Sequence, residues 1–256
     1  MLDRKRDDTE FRSDEGQARG HPRRRQLPAE SPRYATWQGG GRADLAATNV
    51  KSTALAKDQV PTIYYIRHGE TEWNALGKLQ GVQDVPLNDL GRRQAVEAGR
   101  ILADLFARDG RGDASLPFVA SPLGRARQTM ELVRGTLQLP LSGYAIDDRL
   151  REIGYGQWEG STLAEMQAED PDLFAKRQAE KWTVSPPGGE TYVSVQARVT
   201  DWYRGLTTDT VAVAHGGTAR ALMVALGFET PESAADLTIE QGAVYVFSDA
   251  GLSKYS

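Results

Sequence analysis

The 256-residue chain is 39 % hydrophobic and 26 % charged, with a formal charge of -4. That is ordinary globular composition, which excludes fibrous chains and a polycation built to coat nucleic acid. It contains no cysteine, which removes disulfides, thiolate metal sites, iron–sulfur clusters and cysteine nucleophiles together.

Residues 1–59 hold few large apolar side chains, no isoleucine, three prolines and the triplet Gly39-Gly40-Gly41. Such a segment buries too little apolar surface to offset its ordering entropy, so a disordered extension is expected. Its 12 Lys and Arg against 9 Asp and Glu, including Arg23-Arg24-Arg25, read as solvated charge. No apolar run reaches the ~18 residues of a spanning helix. The stretch from Met1 to Gly16 lacks the apolar core of a secretory signal. A cytoplasmic protein is expected, with neither a membrane nor a nucleic-acid partner. Nothing in the sequence specifies an oligomeric state.

Residues 60–256 read as one domain, of a size that buries about 70 % of its unfolded surface. Thr62-Ile63-Tyr64-Tyr65-Ile66 is a strand run that ends at Arg67-His68-Gly69. Asn88 caps a helix from Asp89 to about Ala107, with Ala95, Ala98, Ile101, Leu102, Leu105 and Phe106 on one stripe. Phe118-Val119-Ala120 is a second strand. Ser121 then reads as an N-cap, Pro122 as the first helical residue, and the helix runs to about Leu137. Two shorter helices fall between Thr162 and Lys181, with Pro171 opening the second. Thr191 to Leu206 is a long helix and Thr210 to Ala214 a third strand, ending at His215-Gly216-Gly217. Thr218 to Leu226 is a helix and Gly242 to Phe247 a last strand. Near-continuous apolar strands between helices predict an α/β fold, a three-layer α/β/α sandwich with a mostly parallel central sheet. Ligands of such sheets sit beyond the carboxyl ends of the strands, where Arg67-His68, Ser121 and His215 stand.

Only three histidines exist, His21, His68 and His215. The last two share one setting, an apolar strand followed by His-Gly. The glycines read as positions where backbone N–H groups approach a ligand closely. Arg125 falls in the first turn of its helix, where the N-terminus already favours anions, and Thr218 opens another helix beside His215. Two guanidiniums, two imidazoles and two helix starts match a phosphoryl dianion, whose oxygens fit the planar arginine fork. A zinc centre takes three protein ligands, and two histidines without an HxxxH or HxD pair do not supply them. No metal and no cofactor is expected. Asp147-Asp148 read as helix capping or solvated residues, and Glu70 and Glu72 as solvated. Trp73, Trp158 and Trp182 read as core or rim packing rather than a substrate mouth. Lys176, Arg177 and Lys181 read as a solvated helix face, with steering of anionic substrates as the alternative.

Arg67-His68-Gly69-Glu70-Thr71-Glu72-Trp73-Asn74 resembles the signature of the histidine phosphatase superfamily, the phosphoglycerate-mutase-like proteins. Further segments match in order: Leu79-Gln80-Gly81-Val82-Gln83-Asp84-Val85-Pro86-Leu87, Ser121-Pro122-Leu123-Gly124-Arg125-Ala126-Arg127-Gln128-Thr129, Leu150-Arg151-Glu152-Ile153-Gly154-Tyr155-Gly156-Gln157-Trp158-Glu159-Gly160, Pro187-Gly188-Gly189-Glu190-Thr191 and Ala214-His215-Gly216-Gly217. One RHG tripeptide is weak; six ordered segments are specific. Residues 1–59 match nothing in the family. The resemblance implies a phosphoglycerate-mutase-like fold and His68 as the nucleophile that forms a phosphohistidine. It implies that Arg67, Arg125 and His215 complete the phosphate pocket and that Glu152 is the general acid. Asn74, Gln80, Gly81 and Gly216 join Arg67 and Arg125 as substrate-binding positions.

The expected activity is that of a phosphoric monoester hydrolase, an acid-type histidine phosphatase acting on a small phosphoester. The alternatives are a cofactor-dependent phosphoglycerate mutase, an isomerase, and a non-catalytic phospho-ligand binder. Mutases of the family follow the glutamate with Arg-His-Tyr-Gly, where Ile153-Gly154-Tyr155-Gly156 stands here. They also carry a longer insertion with Arg-Arg-Ser-Tyr, where Lys176-Arg177-Gln178-Ala179-Glu180-Lys181-Trp182 stands here, short of positive charge for two anions. Hydrolysis is therefore favoured, and no member of the His68, Arg67, Arg125, His215 quartet is missing.

Overall fold

The computed structural model describes residues 61–110 and 116–256; the expected N-terminal extension lies outside them. The β-branched and aromatic run Ile63–Arg67 forms β1, with Ile63 through Ile66 all buried. Both faces of this strand are covered, so its apolar residues run on without alternating with polar ones. Phe118–Ala120 forms β2, Ala145–Ile146 β3, Thr210–Ala214 β4, Val244–Ser248 β5 and Gly251–Tyr255 β6. They make one sheet in the order β3-β2-β4-β1-β5-β6. β1 and β2 both run parallel to β4, and β2 parallel to β3. β5 is antiparallel to both β1 and β6.

Helices cover both faces. Asn88 accepts a hydrogen bond from the Gly91 N–H and starts α2 (Asp89–Arg108), which follows the one-turn helix α1 (Glu72–Ala75). α2 and α3 (Gly124–Thr136) bury Ala98, Leu102, Phe106, Met130 and Val133 against Tyr64, Ile66, Val211 and Val213. α6 (Tyr192–Arg204) and α7 (Gly216–Ala225) bury Val195, Val199, Trp202 and Leu222 against Ile63, Tyr65, Ala212 and Ala214. Successive strand residues thus serve opposite cores, as the two-residue period requires, and the three-layer α/β/α expectation holds. α4 (Leu163–Glu169), α5 (Pro171–Ala179) and α8 (Pro231–Ala235) complete the fold.

Several boundaries differ from the sequence expectation. α3 starts at Gly124 with Leu123 as its N-cap, without a side-chain cap bond. The Ser121 hydroxyl is instead occupied by the Leu123 N–H and His215. α7 starts at Gly216, two residues before the expected Thr218. The hairpin strand β6, like β3, is mostly accessible and carries no apolar pattern of its own. Pairing with a neighbour defines both. Among the described residues, no helix is long and apolar enough to cross a membrane.

Candidate active site

Parallel pairing in register builds the site. Arg67 lies opposite Ala214, and the His68 N–H donates to Ala214 O at 2.9 Å. The next residues, His68 and His215, therefore emerge side by side at the carboxyl edge, their ring centroids 5.1 Å apart. Both are buried. Ser121 leaves β2 at the same level, its N–H donating to Val213 O, and its Oγ lies 2.7 Å from His215 Nε2.

His68 Nδ1 lies 2.7 Å from Gly69 O. A carbonyl only accepts, so Nδ1 carries the proton and Nε2 keeps its lone pair. Arg125 Nε–H donates to that Nε2 at 3.2 Å. Burial, then the charges of Arg125 and Arg67, hold the His68 pKa well below the ordinary histidine range. His215 is depressed likewise, by burial first and then by Arg125 and His68. Two neutral imidazoles thus stand among fixed cations.

Arg125 is fully buried. Its Nη1 donates to Gln83 O at 2.6 Å and its Nη2 to Gly81 O at 2.8 Å. The loop before α2 is therefore tied to the histidine cluster through one guanidinium. Arg67 Nη1 donates to Ile239 O at 2.5 Å, while its Nε is buried without a partner among the described residues. That Nε lies beside the first residue of α7: a Cβ on Gly216 would stand 3.5 Å from it. Burial lowers the pKa of both arginines and Glu152 opposes it, and a guanidinium stays charged under such a shift.

Glu152 reaches the N-terminus of α7, where Oε2 accepts from the Gly217 N–H at 3.2 Å and Oε1 from the Ile153 N–H at 3.0 Å. A Cβ on Gly217 would fall 2.4 Å from Glu152 Oε1, so glycine there admits the carboxylate. Gly69 has a different reason from the expected approach to a ligand. Its N–H donates to Thr129 Oγ1, and a Cβ would stand 2.1 Å from Gly91 O. Its bareness lets α2 meet the strand end.

The structure thus gathers His68, His215, Arg125, Arg67, Gly216 and Glu152. Gln80 is buried nearby, its Oε1 without a partner among the described residues. Gly81, at φ +55°, supplies the carbonyl that Arg125 holds. Asn74 spends its amide oxygen on the Thr71 N–H and on Gln241 Nε2, in the cap of α1. Asp147 caps the turn Asp148–Leu150, and Trp158 and Trp182 pack inside, as the sequence suggested. Two readings need correction. Glu70 accepts from Asn88 Nδ2 at 2.8 Å and is half-buried rather than solvated. Arg177 is only 5 % exposed, because α5 turns it inward onto the Tyr155 ring, 5.7 Å from its centroid.

Two groups escaped the sequence reading. Tyr65 accepts from the His215 N–H at 3.1 Å and donates to His215 O at 2.7 Å; burial raises its pKa and keeps it a phenol. Arg198 donates to Arg149 O, Arg151 O and Glu152 O and pairs with Glu190. Glu190 in turn accepts from the Gly154 N–H, so the backbone around Glu152 is clamped. A strand tyrosine and a mid-helix arginine give no local signal of either role. Among the described residues, no three His, Asp or Glu side chains converge as a metal-binding set.

The sequence profile of the Histidine phosphatase superfamily (branch 1) matches residues 63–251. A glucosyl-3-phosphoglycerate phosphatase from Mycolicibacterium vanbaalenii is 38 % identical over 181 residues, 66 % of this chain and 75 % of the relative. The uncharacterized phosphatase PhoE of Bacillus subtilis is 36 % identical over 169 residues, 65 % of this chain and 78 % of its own. The solved structure of a mycobacterial glucosyl-3-phosphoglycerate phosphatase complexed with VO3 superposes with a TM-score of 0.63 at 29 % identity. It covers 76 % of this chain and 97 % of that one.

Proposed function

The chain belongs to the histidine phosphatase superfamily (branch 1), and on that footing we propose that it hydrolyses small phosphomonoesters through a phosphohistidine on His68. The observation that carries this reading is the state of His68: a neutral imidazole, its Nε2 lone pair faced by the Arg125 Nε–H at 3.2 Å.

In the first step Nε2 releases the Arg125 Nε–H, its lone pair attacks phosphorus and the P–O ester bond breaks. Glu152, in its acid form, gives its proton to the leaving oxygen, which departs as an alcohol. Charge on the transferring oxygens is met by Arg67, Arg125 and His215, donors fixed before the reaction begins. In the second step Glu152 takes a proton from water as its oxygen attacks phosphorus. The N–P bond breaks, and inorganic phosphate leaves with His68 neutral again. Gln80, Gly81, Gly216 and Asn74 complete the substrate-binding set of this reading. A protein of the acid type fits it, because a depressed imidazole pKa keeps the nucleophile unprotonated into acidic solution. The reading includes a cytoplasmic location, with which the cysteine-free sequence is compatible.

A labelled phosphoester quenched during turnover tests the proposal. Wild-type protein should carry acid-labile label and release inorganic phosphate, with full activity after chelation; His68→Ala should carry no label and turn nothing over. Label trapped on the His68→Ala protein would overturn the assignment.

A further inference from the structure

A single peptide unit joins the cation at His68 to a carboxylate outside the proposed reaction. The C=O of Gly81 accepts from Arg125 Nη2 at 2.8 Å. The N–H of the same unit, that of Val82, donates to Glu159 Oε1 at 3.0 Å. The two polar groups of a trans peptide point in opposite directions, which sets carboxylate and guanidinium on either side of the unit. Arg125 Nε then donates to His68 Nε2 at 3.2 Å. Hydrogen bonds in series polarise one another, and those ending on ionised groups are the strong ones.

The local chain is built for this contact. Gly81, at φ +55°, lies in the turn Gln80–Gln83, which the Gln83 N–H closes onto Gln80 O at 3.0 Å. A Cβ on Gly81 would stand 2.0 Å from Glu159 Oε1, so glycine serves both the backbone angle and the approach of the carboxylate. On one side of the turn, Asp84 Oδ1 accepts from the Gly124 N–H at 2.7 Å, at the start of the helix that carries Arg125. On the other, Leu79 donates to Ser161 O at 3.0 Å and accepts from the Gly160 N–H at 2.8 Å. Between these anchors the Gly81–Val82 unit is held by Arg125 and Glu159. Glu159 is itself pinned, because the same Oε1 accepts from the Tyr155 N–H at 3.1 Å. Both acceptors of the Arg125 Nη atoms, Gly81 O and Gln83 O, belong to this one turn. A shift of the turn therefore moves both acceptors of the guanidinium together.

We infer that Glu159 is a positioning residue for the phosphoryl transfer: it fixes the turn whose carbonyls hold Arg125 against His68. The inference rests on the phosphatase reading above. Glu159 acts through Val82, Gly81 and Arg125 rather than on the reacting atoms, and it ties the turn to the segment that begins at Glu152.

Hydrolysis of p-nitrophenyl phosphate tests it. The phenolate of that substrate leaves unaided, so the assay reports the grip on the phosphoryl group rather than the proton from Glu152. Glu159→Ala should lower kcat by about 10–10²-fold, the order of cost for displacing a reacting group by up to 1 Å. KM should change less than about threefold, since the lost interaction belongs to the transition state. Glu159→Gln, whose amide oxygen still accepts from both N–H groups, should recover activity to within about fivefold of wild type, a neutral acceptor replacing a charged one. In an Arg125→Ala background, Glu159→Ala should cost less than about twofold more, because residues that act through one another are not additive. A full further loss in that background would overturn the inference while leaving the phosphatase reading intact. So would Glu159→Gln as slow as Glu159→Ala, or a loss that only follows a fall in Tm. Should Glu159→Ala not be recovered folded, Glu159→Asp takes its place, keeping the charge but withdrawing the oxygen by about 1.5 Å. An aspartate protein slower than the glutamine one supports the inference, and one equal to or faster than it overturns the inference. A wild-type protein that hydrolyses neither p-nitrophenyl phosphate nor glycerol 3-phosphate overturns the phosphatase reading itself, and this inference with it.

Discussion

Arg125 Nε lies 3.2 Å from His68 Nε2, while the Nη atoms of the same guanidinium hold Gln83 O and Gly81 O. One planar cation therefore touches the proposed nucleophile, adds to burial in keeping it unprotonated and anchors the adjacent loop. A lysine offers one point of charge and cannot make the three contacts in one plane. Arg125→Lys should accordingly lose nearly as much as Arg125→Ala, each on the order of 10²–10³ in kcat, by analogy with lost oxyanion donors. Steady-state rates with a single phosphoester check this, and a lysine protein within a few-fold of wild type would contradict it.

Glu152 stands at the N-terminus of α7 with both oxygens hydrogen-bonded to backbone N–H groups. If it protonates the leaving oxygen, its removal matters in proportion to how badly that oxygen needs a proton. Glu152→Gln should cost on the order of 10²–10⁴ with an alkyl phosphate and far less with p-nitrophenyl phosphate, whose phenolate leaves unaided. Equal losses on the two substrates would mean that the carboxylate positions rather than protonates.

Burial, reinforced by Arg125, depresses the pKa of both His68 and His215 in the folded protein, whereas in the unfolded chain each titrates near 6.5. Below that value the unfolded state binds protons that the folded state refuses. The stability held above pH ~6.5 is therefore lost as pH falls, at up to about 1.4 kcal/mol per pH unit for each histidine. Urea midpoints at pH 7.5 and 5.5 should show the decline, and it should be smaller in His215→Asn. A pH-independent midpoint across that window would show that the two rings protonate freely in the native state.

The family profile begins at residue 63, and every residue of the proposed site lies beyond it. Removing residues 1–59 should leave kcat/KM unchanged and Tm nearly so. A fall of about 3 °C, worth about 1 kcal/mol in a domain of this size, would show that the removed segment contributes to the fold.

Most of the layer architecture was legible along the chain. The strand runs ending at Arg67 and Ala214, the Asn88 cap and the Pro171 start all lie where periodicity and capping chemistry put them. These are local signals: an apolar run, a side chain that satisfies a free N–H, a ring that sets φ. The placement of His68 and His215 at strand ends followed from the same signals, whereas the pairing of β1 with β4 that sets the two rings side by side is a property of the folded sheet.

What the tertiary structure alone decided are contacts between residues far apart in sequence. Ser121 offers the local chemistry of a helix cap, yet its hydroxyl meets His215 across 94 positions. Gly69 resembles a ligand-facing glycine and instead makes room for Gly91. Arg177 looks like a surface cation and is buried against Tyr155. A one-dimensional pattern records how often a residue faces inward; it does not record the rotation of one helix against another, or the register between strands. Those are set by the packing of whole faces, and only that packing determines which buried donor meets which acceptor and which is left free for a ligand.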